Sequence, residues 1–211
     1  MFKRFPLIMI VLAGLTTNAQ HAGYRSIGDS AAFRENFSAA YRKIESIQCQ
    51  FKQEKQLSMI SEKLKSRGRF WFKKENKVRM VYEDPFQYLL VVNNNDVWIR
   101  DGQSDSHISA NSNKLFQQLN KLIVDCVKGT ALSSPDFSNR VFENADDYLV
   151  ELIPASKTLR AIFKNINIVL DKKDFSVSEI QMFELSGDST VIRFFAKEFN
   201  VNIPDALFAV H

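Results

Sequence analysis

The chain has 211 residues, 45% of them hydrophobic and 25% charged, with a formal net charge of +4. That length fits one domain, and the composition is that of an ordinary globular protein. Its cationic residues mostly alternate with apolar ones, as at Lys65, Arg67 and Arg69, which is the solvated face of a sheet and argues against a nucleic-acid partner.

The first residues read as a targeting segment. Lys3 and Arg4 precede an apolar stretch, Phe5 to Leu15, that is too short to span a bilayer. Thr17-Asn18-Ala19 is a small-x-small cleavage site. The expectation is a signal peptide over residues 1–19 and a single exported, soluble domain over 20–211. Cleavage removes Lys3 and Arg4 and lowers the net charge from +4 to +2. No Cys follows the site, so an N-terminal lipid anchor is not expected.

Gln20 to Ile27 reads as a flexible leader. Asp29 or Ser30 can cap a helix running to about Ser46. Phe33, Phe37, Ala40, Tyr41 and Ile44 recur at helical spacing and give it one apolar face. Ile47, Cys49 and Phe51 then alternate with polar residues, as in a half-buried strand, and Leu57 and Met59 keep the same parity. Four strands follow: Ser66–Lys73, Lys77–Glu83, Tyr88–Asn93 and Asp96–Arg100. Turns fall at Lys74-Glu75-Asn76, Asp84-Pro85 and Asn93-Asn94-Asn95, the last well suited to left-handed backbone. Tyr88 to Val92 is apolar on both parities, which predicts cover on both sides.

Gln103 to Ser109 is a polar strand or loop. From Asn111 or Ser112 a helical pattern sets Leu115, Phe116, Leu119, Leu122, Ile123 and Cys126 on one face, with Gly129 placed to end it. Thr130 to Asn139 reads as a loop with a short helical turn. Strands return at Arg140–Glu143, Tyr148–Ile153, Leu159–Leu170, Phe175–Leu185 and Thr190–Phe199. Short turns between successive strands mean antiparallel neighbours. About ten strands should curl toward a barrel or half-barrel.

Chemistry-bearing motifs are scarce. His21, His107 and His211 have no metal-ligand spacing, and there is no GxSxG, HExxH or glycine-rich phosphate loop. Asp84, Asp101 and Asp105 are explained by hairpin-turn solvation. The expectation is a protein that is not an enzyme and holds no cofactor or metal. Cys49 and Cys126 could pair in an oxidising compartment, but two buried free thiols are the slightly favoured reading. The 18 Phe residues exceed what a small catalytic pocket needs, which leaves binding. An amphipathic helix could lie across an apolar concavity as a lid, or could plug the barrel and complete its core. Both bury the same side chains, so periodicity leaves both open.

The order of segments resembles the LolA family, periplasmic carriers of outer-membrane lipoproteins. The residues concerned are Ser46-Ile47-Gln48-Cys49-Gln50-Phe51-Lys52-Gln53, Ser66-Arg67-Gly68-Arg69-Phe70-Trp71-Phe72-Lys73, Arg79-Met80-Val81-Tyr82, Pro85 and Asn95-Asp96-Val97-Trp98-Ile99. Val191-Ile192-Arg193-Phe194 and Asn202-Ile203-Pro204-Asp205-Ala206-Leu207-Phe208 look like the family's last region. The resemblance implies a mainly β, α+β fold: an incomplete antiparallel β-barrel of about ten to eleven strands, with an α-helical lid over a hydrophobic cavity. It implies a cavity lined by Phe33, Phe37, Phe51, Phe70, Phe72, Val78, Met80, Tyr82 and Leu90, closed by Leu119, Leu122 and Ile123. Where the family often has an Arg-Pro pair, with the Arg latching the lid, this chain has Lys74-Glu75. Lys74 keeps the charge and loses the planar fork. The implied partners are acylated lipoproteins or other lipid cargo, an inner-membrane release complex and an outer-membrane acceptor, served by a periplasmic monomer. Two other readings use the same residues: a carrier or sensor of a glycolipid or lipid-linked pigment, and a solidly packed interaction protein.

Overall fold

The computed structural model describes residues 21–60, 62–74, 76–94, 96–101, 104–109, 125 and 131–209. One antiparallel sheet organises them. In chain order its strands are β1 (Arg25–Ser26), β2 (Ser46–Gln56), β3 (Lys63–Lys73), β4 (Lys77–Asp84), β5 (Tyr88–Asn93), β6 (Asp96–Asp101) and β7 (Ser104–Ser109). Further along the chain come β8 (Phe137–Glu143), β9 (Asp147–Pro154), β10 (Phe163–Asp171), β11 (Val177–Glu184) and β12 (Ser189–Phe199). Helix α1 (Ser30–Arg42) precedes β2, and the four-residue α2 (Lys157–Arg160) precedes β10.

The spatial order is β1-β8-β9-β10-β11-β12-β2-β3-β4-β5-β6-β7. Two meanders, β2 to β7 and β8 to β12, are therefore joined where β12 pairs with β2. Strands β1 and β7 are the two ends of an open sheet, the architecture of an incomplete barrel. Eleven strands have six or more residues and β1 has two, in line with the ten to eleven expected.

The first hairpins follow the sequence closely, because alternation and turn chemistry agree there. β5 spans the predicted Tyr88–Asn93, and Asn76 and Asn94 take φ of 62° and 56° in the turns. Gln103–Ser109 resolves as a strand, Ser104–Ser109.

Elsewhere tertiary contacts override local pattern. The leader is not wholly irregular: Arg25 and Ser26 pair with Glu143 and Phe142. α1 ends at Arg42 rather than near Ser46. Asn200 reaches back there, donating to the Lys43 carbonyl at 3.1 Å and accepting from the Glu45 N–H at 2.7 Å. Asp29 does cap the other end, accepting from Ala31 and Ala32 N–H at 3.0 Å each. Met59 leaves the strand parity and is 94% exposed on the β2–β3 turn. Leu159 belongs to α2, capped by Ser156, so β10 begins only at Phe163. Phe175, expected in a strand, sits in the β10–β11 turn with φ of 59°. The Thr130–Asn139 loop is shorter than expected, since β8 starts at Phe137 after a 3₁₀ turn at Ala131–Ser133.

Strand alternation gives the sheet two apolar faces. Phe51, Phe70, Phe72, Val78, Met80 and Leu90 point inward and join α1 in the main core. Trp71 and Val91 point outward, where Ile203 and Phe208 of the C-terminal segment cover them. This is the two-sided cover that the apolar run in β5 predicts.

Candidate functional site

α1 lies on the inner face of the sheet with its apolar stripe downward. Phe33, Phe37 and Tyr41, spaced by four, are each buried. The rings of Phe33 and Phe37 stack 5.8 Å apart, and Phe37 meets Tyr41 at 4.6 Å. Tyr148 of β9 and Phe175 form a second aromatic pair, stacked at 5.4 Å, that grips the same stripe. Phe33 contacts Tyr148 at 4.8 Å and Phe175 at 6.0 Å. The left-handed backbone at Phe175, uncommon for an aromatic residue, belongs to the turn from which its ring meets α1. Sequence reasoning missed Tyr148 and Phe175, which hairpin spacing alone assigns to strands.

All nine cavity residues expected within the described chain meet here. Eight of them, Phe33, Phe37, Phe51, Phe70, Phe72, Val78, Met80 and Leu90, are buried in one cluster, and half-buried Tyr82 packs against it. Leu119, Leu122 and Ile123 lie outside the described residues, as does Cys126. Of the nine, Phe70 alone also lines a small free space among the described residues. That cavity holds only about 30 Å³, roughly room for one water molecule. Its apolar walls come from Tyr41, Ile47, Phe70, Ile180, Phe194 and Phe199, with Cys49, Ser176 and Lys197 adding polar atoms. An acyl chain does not fit in that space as it stands, and Tyr41 of α1 is one of the side chains that would have to move.

One end of the face is built on Gly68. A Cβ there would stand 1.8 Å from the Val81 carbonyl oxygen and 2.9 Å from the Phe51 ring. The missing side chain lets Phe51 and Tyr82, its neighbours on β2 and β4, meet edge to face at 4.9 Å. Tyr82 donates its hydroxyl to Gln53 Oε1 at 2.8 Å. Burial, and secondarily Tyr88, raises the Tyr82 hydroxyl above the ordinary tyrosine range, so it stays a neutral donor. Cys49 is a free buried cysteine whose thiol is pushed up to about 12 by burial, partly opposed by the charge of Lys197. Such a thiol is inert at neutral pH.

The ends of α1 are tied by polar contacts. Lys74, the expected latch, donates from Nζ to the Arg42 carbonyl at 3.1 Å and to the Glu45 carboxylate. Its backbone N–H donates to the Glu45 carbonyl at 2.8 Å. It therefore grips the C-terminal end of α1, where its charge also suits the helix dipole. The helix on which the sequence places Leu119 to Ile123 is outside the described residues.

The outer cover is held differently. Lys73 donates to the Ile203 carbonyl at 2.9 Å, Arg79 to the Leu207 carbonyl at 2.8 Å, and Ser46 to the Val201 carbonyl at 2.6 Å. Lys73 and Lys77 both bond Asp205, at 2.8 and 3.0 Å. Those bonds hold the Asp205 carboxyl below the usual aspartate range. Burial lowers the Arg79 guanidinium somewhat, helped by the nearby charges of Arg100 and Arg69.

Among the described residues no cluster of His, Cys, Asp or Glu could hold a metal ion. Among them, too, no helix is long and apolar enough to cross a membrane.

The family model described as outer membrane lipoprotein carrier protein LolA matches residues 42–211. No curated protein matches. Among solved structures, a LolA superfamily protein from Nitrosomonas europaea is 11% identical, with 85% of this chain and 96% of that one covered at a TM-score of 0.46. An uncharacterized conserved protein from Thermus thermophilus is 10% identical, covering 85% and 93% at a TM-score of 0.51. MucB is 12% identical, covering 88% of this chain and 64% of that one at a TM-score of 0.51. At these identities the structural likeness concerns the fold.

Proposed function

Because the chain belongs to the LolA family, whose fold is a carrier and binding fold, we propose that it is a periplasmic carrier that shields the acyl chains of lipoproteins and moves them from the inner to the outer membrane. The observation that carries this reading is the aromatic stripe of α1 seated on the apolar inner face. It is a cover made of contacts that a hydrocarbon chain can reproduce. The family expectation of an inner-membrane donor and an outer-membrane acceptor comes with the same reading, as does export by the segment 1–19.

The energetics suit exchange. Burying three aromatic side chains is worth roughly 5–9 kcal/mol. Each acyl methylene taken out of water returns about 0.8 kcal/mol. About ten methylenes therefore offset the release of the α1 stripe, so loading is a near-balanced swap. A carrier needs that balance, because tight net binding would prevent delivery.

The test is retention of a triacylated lipopeptide against its deacylated counterpart by the purified protein. The acylated form should bind and the other should not. Equal or absent retention of both overturns the reading. The cavity of about 30 Å³ favours a second reading, a solidly packed interaction protein. That protein would bind no fluorescent acyl probe at all. A carrier of some other amphiphile would bind the probe and co-purify with that lipid, which mass spectrometry would identify.

A further inference from the structure

The apolar cavity has one cationic side chain on its wall, Lys197. An irregularity in β12 puts it there. Between Phe195 and Glu198 the pairing with β2 slips, so that three steps on β12 oppose two on β2. Ala196 takes φ of 50° at that point. This is left-handed backbone, which strains an alanine. Without the extra residue, strict alternation from inward Phe194 would turn Lys197 outward. With it, Phe194, Lys197 and Phe199 all line the cavity. Bulges re-aim side chains in this way beside binding sites.

The ammonium donates to Ser176 Oγ and to the Val177 carbonyl, the latter at 3.3 Å. Ser176 is itself buried, at 3% exposure. Among the described residues no carboxylate pairs with Lys197. Half-buried Lys197 shares this wall with the apolar side chains of Ile47, Phe70 and Ile180. An anion brought to it in low dielectric is held more strongly than in water.

We propose that this corner of the cavity binds the head group of an anionic amphiphile, a carboxylate or a phosphate monoester, between the Lys197 ammonium and the Ser176 hydroxyl. The acyl chain then runs along the inner face that α1 vacates, so the inference rests on the carrier reading and deepens it. Withdrawal of Tyr41 with α1 enlarges the space beside Lys197. The strain at Ala196 is then the cost of aiming a cation into the cavity wall.

The experiment titrates the protein with pyrene-labelled dodecanoate, its methyl ester and the matching dodecyl phosphate, following pyrene fluorescence. The wild type should bind the acid or the phosphate about tenfold more tightly than the ester, the usual worth of one charge-assisted hydrogen bond. Whichever anion binds tighter identifies the head group. Lys197→Met should erase that preference, its urea-unfolding midpoint checking that the variant is folded. Lys197→Arg should restore it. Equal affinity of the wild type for acid, phosphate and ester overturns this inference and leaves the carrier reading standing. A preference that survives in Lys197→Met overturns it as well. Binding of none of the three overturns both.

Discussion

The two faces of the sheet are covered by segments held in contrasting ways. On the inner face, α1 sits on Phe33, Phe37 and Tyr41, with aromatic contacts across the face and polar ties at its ends. On the outer face, the segment from Val201 to Phe208 buries Ile203 and Phe208 and has its carbonyls bonded by Ser46, Lys73 and Arg79. A hydrocarbon chain can replace the first kind of contact and cannot replace the second. On the proposed reading, the first cover is the one lipid exchanges for and the second stays in place.

Gly68→Ala should break both faces at once. Its Cβ would meet backbone, the Val81 carbonyl, at 1.8 Å, and β3 must shift or part from β4. A loss of roughly 3 kcal/mol or more is expected in urea unfolding, at the upper end of overpacking.

A matched pair of truncations separates the faces. Phe37→Ala and Phe208→Ala each remove a buried ring, and each should cost roughly 3–5 kcal/mol of stability. Only Phe37→Ala should tighten binding of an acyl probe, because it weakens the cover that lipid displaces. Equal effects of the two on probe affinity would erase the distinction between the faces.

Lys74→Met should loosen the end of α1 by no more than about 1 kcal/mol, since the Lys74–Glu45 pair is largely exposed. The expected sign is again tighter probe binding, read by fluorescence titration.

The smallest effect concerns the outer face and acid. The Asp205 carboxyl is held below its ordinary value of 3.8 by Lys73 and Lys77. A depressed folded-state pKa gives stability that is present above the unfolded value and lost as pH falls through the folded one. Between pH 4 and more acidic solution, the wild type should lose a little stability that Asp205→Asn never has. Parallel acid profiles for the two would show that the clamp contributes nothing.

Much of this was legible in the chain. The hairpins from Ser66 to Arg100 follow from alternation and from Asn76 and Asn94 in their turns, where local and tertiary preferences agree. The aromatic stripe of α1 follows from its spacing of four. The resemblance brought Val78, Met80 and Leu90 to the same inner face. What sequence could not supply came from distant partners. Asn200 stops α1, and nothing near Arg42 announces it. Phe175 adopts a backbone that propensity disfavours, in a turn whose aromatic ring packs on α1. The bulge at Ala196 has no glycine to mark it, so alternation along the chain gives no sign that Lys197 turns inward.

Hydrogen–deuterium exchange with and without an acylated lipopeptide tests the exchangeable cover most directly. On loading, amides of Ser30–Arg42 should exchange faster while those of residues 201–208 keep their protection. Lipopeptide binding that leaves α1 as protected as before, or that deprotects both segments alike, would contradict the account.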